Sequence, residues 1–235
     1  MEILTGLLPD SANYRTGRKE DIKYIVIHYT ANKGDTAFNN VKYFHNNIPK
    51  ASAHFFVDEN SVYTSVPLCS TAWHCGGGLQ GSKGHAWYGK CTNSNSIGVE
   101  MCLLNKSGDV RKGTLAKTAE LVKYLMKEYN IPVENVIRHW DVTGKSCPAP
   151  MTGDNNAYWE DFKNRISESE ELTMSQYEEI MKKLEAHDKI INLVGNDIQT
   201  VNKRVDEVEK ENNRQNEIIN LVGNDIQKIN KKVGI

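Results

Sequence analysis

From Ile180 to Val233 the apolar residues fall into two interleaved columns, and this pattern constrains the chain more than any other. One column is Ile180, His187, Val194, Val201, Val208, Gln215, Val222 and Ile229; the other is Leu184, Ile191, Ile198, Val205, Asn212, Ile219, Ile226 and Val233. Spacings of four and three alternate, the 3.5-residue period of a helix that buries a narrow stripe against other helices. In heptad letters the first column is d and the second a. The decapeptide Ile-Ile-Asn-Leu-Val-Gly-Asn-Asp-Ile-Gln stands at 190–199 and again at 218–227, a 28-residue repeat of four whole heptads, so the duplication keeps the stripe in register. β-Branched residues at both a and d favour three or four strands over two. A homo-oligomer through this helix is therefore expected, trimer or tetramer favoured. Asn212 and Gln215 put polar layers in the stripe, and Gly195 and Gly223 each weaken the helix by about 1 kcal/mol. Two geometries stay open: one continuous helix over 180–233, roughly 80 Å long, or a bend at Asn212-Asn213 that folds the repeats into a hairpin.

The rest of the chain is of another kind. All four Trp, all five Cys and all six Pro precede residue 167. The expected organisation is a globular domain over 1–166, a polar linker over 167–176 that includes Ser167-Glu168-Ser169-Glu170-Glu171, and a coiled-coil segment over 177–235. A formal net charge of −1 argues against a nucleic-acid binder. No apolar run approaches the roughly 18 residues of a membrane span, so no membrane insertion is expected. The start, Met1-Glu2-Ile3-Leu4-Thr5-Gly6, lacks the basic and apolar regions of a secretory signal. Synthesis in the cytoplasm without a signal peptide is the expectation. An odd number of cysteines leaves at least one thiol without an intrachain partner, and metal binding is a better use of them here than a disulfide framework.

Within 1–166, Ile22 to Tyr29 is a nearly continuous β-branched and aromatic run that suits a central strand covered on both faces. Thr36 to Ile48 reads as a helix with Phe38, Val41, Phe44 (or His45) and Ile48 at helical spacing, closed by Pro49. Ala53–Val57 and Ser61–Val66 read as strands joined by a turn at Asp58-Glu59-Asn60. A long Gly-rich loop follows from Pro67 to Asn95. Ser96 to Leu103 alternates, with Ile97, Val99, Met101 and Leu103 on one face and Gly98, Glu100 and Cys102 on the other. Leu115 to Tyr129 is an amphipathic helix, Asn135 to His139 a short strand, and Trp140 to Met151 a loop. The fold class is α/β: a mixed central sheet flanked by helices, followed by the C-terminal helical segment.

Three residues stand out chemically. His28 and His139 each end a strand, and Cys147 follows His139 by eight positions. Two ligands close in sequence and one remote suit a catalytic zinc site whose fourth position stays open, whereas a structural site would want four protein ligands. Other histidines, His45, His54, His74 and His85, read more simply as hydrogen-bonded core or surface residues. Around the Gly-rich loop, Trp73, His74 and Asn95 are candidates for substrate contact, as is His54. For Trp73 the alternative is packing of the loop, and for Asn95 capping of a turn.

The motifs around these residues occur in a telling order. Val26-Ile27-His28-Tyr29-Thr30 is followed by Ser52-Ala53-His54-Phe55, Ala72-Trp73-His74 and Asn95-Ser96-Ile97-Gly98-Val99-Glu100. Arg138-His139 and Gly144-Lys145-Ser146-Cys147-Pro148 complete the set. Over about residues 20–165 the chain resembles the type 2 N-acetylmuramoyl-L-alanine amidases, a family that includes phage endolysins and is related to peptidoglycan recognition proteins. The resemblance implies a zinc ion (Zn2+) held by His28, His139 and Cys147, with Glu100 as catalytic base and Lys145 stabilising the transition state. Some phage relatives carry a tyrosine where Ala53 stands, so a mechanism depending on that phenol does not carry over.

The implied function is a zinc-dependent hydrolase that cuts bacterial peptidoglycan between N-acetylmuramic acid and L-alanine, as a phage or prophage endolysin acting on the wall after holin-dependent release. Two rivals are a non-catalytic peptidoglycan-binding protein on the same fold and a cytoplasmic muropeptide-recycling amidase. Retention of Cys147 argues against the first, and the multivalent tail against the second. Cys69, Cys75, Cys91 and Cys102 read as ordinary thiols, with a Cys75–Cys91 bridge across the loop left open.

Overall fold

A computed structural model describes residues 1–153, 156–167 and 174–234. The chain divides into two units, Met1–Ser169 and Glu170–Ile235. In chain order the first unit contains β1 (Tyr14–Arg15), β2 (Tyr24–Tyr29), α1 (Ala37–Asn46), β3 (Phe55–Val57), β4 (Val62–Thr64), β5 (Thr71–Ala72), β6 (Ser96–Met101), α2 (Lys112–Glu128), β7 (Val136–Arg138), α3 (His139–Thr143) and α4 (Ala157–Ser167). Five strands form a mixed sheet in the order β4-β3-β6-β2-β7, parallel throughout except for the β3–β4 hairpin. The short strands β1 and β5 pair separately.

Alternation sorts the two faces of this sheet. Ile25 and Ile27 of β2, Ile97, Val99 and Met101 of β6, and Phe55 and Val57 of β3 form one buried layer with Leu121, Val122 and Leu125 of α2 and Phe162 and Ile166 of α4. The intervening residues take the other face, where α1 packs on Phe56, Tyr63 and Cys102 through Ala37, Val41 and Phe44. Val26 and Ile137 form a second apolar patch there with Cys75, Cys91 and Val142, and the rest, including His28 and Glu100, is polar.

Local chemistry sets the element ends, with some departures from the sequence reading. Thr36 caps α1 by accepting a hydrogen bond from the Asn39 amide. The helix stops at Asn46, and its buried side is Ala37, Asn40 and Val41, whereas Phe38 and Ile48 are exposed. The apolar spacing places Val41 and Phe44 correctly but misses Asn40, which is buried by bonding Asp35 and the Thr36 carbonyl. His139 does not end a strand: β7 stops at Arg138, and the Asp141 carboxylate accepts from the Arg138 amide to start α3 inside the expected loop. The helix α4 was not anticipated. Its polar run Ala157–Ser167 buries Phe162 and Ile166 in the core and packs Trp159 against it.

In the second unit, α5 runs unbroken from Met174 to Val233, so the hairpin at Asn212-Asn213 is not formed. Of the linker expected over 167–176, residues 168–173 lie outside the described residues. Along α5 the a and d side chains Ile191, Val194, Ile198, Val205 and Ile219 are exposed. No helix among the described residues is long and apolar enough to cross a membrane.

Candidate functional site

The uncovered part of the polar face is where the chemistry gathers. β2 and β6 run parallel with His28 in register with Glu100, so both side chains leave the same face of the sheet. On the other side of β2, Ile27 pairs with Arg138, and the chain steps directly into His139. The loop after α3 then folds back: the Trp140 amide donates to the Cys147 carbonyl at 3.0 Å. His28, His139 and Cys147 are all buried, with their ligand atoms within 4.8 Å of one another. The two imidazole rings lie 4.7 Å apart at 65°, and Cys147 Sγ is 3.8 Å from His28 Nδ1.

Arg138 holds this loop in place. Its guanidinium donates to both Asp141 carboxylate oxygens at 2.9 Å, to the Met151 carbonyl and to Asn156. It also lies between the rings of Trp140 and Trp159, at 4.6 and 4.9 Å. One buried cation thereby ties together the segment that supplies two of the three candidate ligands.

The polar atoms of the cluster are poorly satisfied by the protein itself. Neither ring nitrogen of His139 has a hydrogen-bond partner, nor does Glu100 Oε2. Buried polar groups are seldom left unpaired, and two imidazoles and a thiol converging on one point fit a metal ion that takes nitrogen and sulfur ligands. Burial pushes His139 down to about 3, with the Lys145 charge adding to the effect, and lowers His28 well below its usual range. Both imidazoles are thus neutral, the form that binds metal. Burial, with Glu100 nearby, pushes the Cys147 thiol up to about 12; a cation at the cluster would reverse that balance and favour the thiolate.

The second nitrogen of His28 is fixed from below. His28 Nε2 lies 3.1 Å from His74 Nδ1, and His74 Nε2 lies 3.2 Å from Ser96 Oγ, which in turn donates to the Thr92 carbonyl. With His28 Nδ1 turned towards the cluster, each link passes a proton one way, His28 to His74 to Ser96 to Thr92, so every tautomer is set. Gly98 makes room for this chain, because a Cβ there would stand 2.5 Å from the His74 ring. Ser96 lies within the Asn95–Glu100 motif and carries no signal of its own there. A hydroxyl that acts through another side chain has no spacing to betray it.

Glu100 faces a cleft of about 690 Å³ together with Tyr29, Asn32, Asn40, Lys145 and Cys147. Burial raises its carboxyl to about 7, against the opposing pull of the Lys145 ammonium. A carboxyl poised near neutrality both accepts and returns a proton readily.

The structure brings His28, His139, Cys147, Glu100 and Lys145 to one place. The other candidates stand elsewhere. His54 is fully buried beneath the site: its Nδ1 accepts from the Gly98 amide, and its Nε2 meets Arg18 and the Ser70 carbonyl. No free nitrogen is left to meet a substrate. His74 supports His28 from within the fold. Asn95 is buried and caps the turn at 92–95 through Thr92 and Lys90, the simpler of its two readings. Trp73 lines a separate cleft of about 470 Å³ with Arg15 and Tyr88. All five cysteines are free thiols; Cys75 and Cys91 pack in one small apolar cluster without a disulfide.

The sequence family supplies the deciding comparison: residues 18–150 match the family described as N-acetylmuramoyl-L-alanine amidase, Amidase_2. The chain belongs to this family. It is 38% identical over 167 residues to the N-acetylmuramoyl-L-alanine amidase BlyA of Bacillus subtilis (strain 168), a match covering 68% of this chain and 45% of BlyA. Among solved structures, a mutant endolysin from Bacillus subtilis superposes with a TM-score of 0.58 at 33% identity, covering 71% of this chain and 99% of that one. The catalytic domain of XlyA gives 0.57 at 32%, covering 71% and 100%. The chain spans about half the length of the curated relatives it matches. Both structural matches leave out a share of this chain about the size of its C-terminal unit.

Proposed function

We propose that this chain is a zinc-dependent peptidoglycan hydrolase that cleaves the amide between the lactyl group of N-acetylmuramic acid and L-alanine. The observation that carries the reading is the buried His28, His139 and Cys147 cluster, its His139 nitrogens unpartnered, beside a cleft lined by Cys147, Lys145 and Glu100, whose Oε2 is also unpartnered. When bound there, zinc supplies Lewis acidity at the scissile carbonyl and acidifies water.

The protein's own groups do the rest. Glu100 takes a proton from the attacking water and returns it to the leaving amine of L-alanine. Lys145 is close enough for its charge to act on Glu100 and His139, and its ammonium faces the oxyanion that develops in the cleft. The chain His28, His74, Ser96 keeps the imidazole aimed at the metal. Asn32, Asn40 and Tyr29 along the cleft offer polar contacts to a stem peptide.

In keeping with the endolysin among its structural relatives, the protein acts on the bacterial cell wall, as a phage or prophage lysin after release from the cytoplasm. The apolar stripe of α5 supports self-association, trimer or tetramer favoured, which would tether several catalytic units to a polymeric substrate. Purified cell wall digested by the protein tests the bond. New L-alanine amino termini without new reducing sugars are expected. They should vanish when a chelator strips the metal and return with added zinc. Full activity after stripping, or binding without any new termini, would overturn the reading.

A further inference from the structure

Two costly residues in α5 lack any reward within a single helix. Gly195 and Gly223 each weaken the helix, yet no atom lies within 4 Å of where a Cβ would stand on either. Both fall at heptad position e, directly after the d residues Val194 and Val222. At position g, before the a residues Ile191 and Ile219, stand Ile190 and Ile218. Both are more than half exposed, where a solvated helix face would carry charge. In helices aligned side by side in the same direction, g of one meets e of the next heptad in its neighbour. Ile190 then meets Gly195 and Ile218 meets Gly223. A bulky side chain is offered to a bare stretch of backbone, twice, four heptads apart.

The remaining g and e positions agree with that alignment. Lys183 meets Asp188, and Arg204 meets Glu209. Asp197, Glu211 and Asp225 meet Asn202, Asn216 and Asn230. Two pairs attract and none places like charges together. Arg204 and Glu209 already rim the apolar hollow of Val201, Val205 and Val208, a cation on one edge and an anion on the other. The polar layers also match themselves, with His187, Asn212 and Gln215 each facing its own counterpart. Antiparallel pairing that lays one repeat on the other would instead set Asn212 against Val201, Gln215 against Ile198 and His187 against Ile226. Each of those buries a polar group without a partner.

We propose that α5 pairs with further copies of itself in parallel and in register, with Ile190 and Ile218 of each copy seated on Gly195 and Gly223 of its neighbour and Arg204 paired with Glu209. This rests on the self-association proposed above and adds its direction and register.

Sedimentation equilibrium of the full chain tests it. Arg204→Glu and Glu209→Arg should each raise the dissociation constant about tenfold or more, because each sets like charges together at every interface. The combined R204E/E209R chain should return to within about threefold of the parent. Ile190→Ser with Ile218→Ser should also weaken assembly, although both side chains are solvated on the lone helix. A double charge swap no better than either single swap would overturn the parallel register while leaving self-association standing. Unchanged assembly of the serine variant would overturn the seating on glycine. A monomeric parent chain would overturn self-association and this inference with it.

Discussion

Glu100 and Ser96 sit on one strand, two turns of the pleat apart, and do different work. Glu100 reaches the cleft with one oxygen unpartnered and its carboxyl raised to about 7 by burial. Glu100→Gln keeps the shape and removes the proton acceptor. The variant should retain its metal by elemental analysis while turnover falls by about 10²–10⁴-fold; a normal rate would exclude Glu100 as the base. Ser96 never touches the cleft and closes the hydrogen-bond chain behind His28. Ser96→Ala should weaken zinc affinity by about tenfold or more in a chelator competition titration, with the far-ultraviolet spectrum unchanged. Equal affinity would mean that the chain does not orient the ligand. The difference explains what a sequence reader can see. Metal ligands and a base are limited to a few residue types, so their ordered occurrence is legible. His54 and Asn95 share that vocabulary but spend their polar atoms on Gly98, Arg18, Thr92 and Lys90, and only coordinates reveal such partners.

At the scale of elements, strand periodicity was the most reliable guide. The alternation in Ser96–Met101 put Ile97, Val99 and Met101 in the core and Glu100 on the polar face. Elements built by polar contacts were harder to read. The short helix α3 begins on a carboxylate cap, and α4 docks through Phe162, Ile166 and the partly buried Trp159. Arg138 links these two irregular pieces, and its worth is open to measurement. Arg138→Met keeps much of the stem between Trp140 and Trp159 but strands the partly buried Asp141 carboxylate. Breaking such a pair from one side costs about 3–5 kcal/mol. The midpoint of urea unfolding should drop accordingly. Met at 138 combined with Asp141→Asn should recover part of the loss. No change in the midpoint for the single variant would show that the loop carrying His139 and Cys147 is held by other contacts.

At the scale of the whole molecule, two units of unlike chemistry share one chain. The globular unit holds everything the proposed reaction needs, and the solved catalytic domain of XlyA, matched along 100% of its length, shows that a relative of this unit stands alone. On the self-association proposed above, what α5 adds is a matter of number. Tethering several catalytic units to one polymer makes each later encounter intramolecular, which raises overall attachment by about 10²–10⁴-fold without a new contact. The benefit depends on a substrate with many sites. A chain ending at residue 169 should therefore be monomeric by light scattering and lose at least about tenfold in the rate of clearing intact wall, while its rate on a soluble muropeptide stays that of the parent. Equal losses on both substrates would mean that α5 supports the fold of the catalytic unit. No loss on intact wall would leave the tail without a part in lysis and would return the muropeptide-recycling reading to the front.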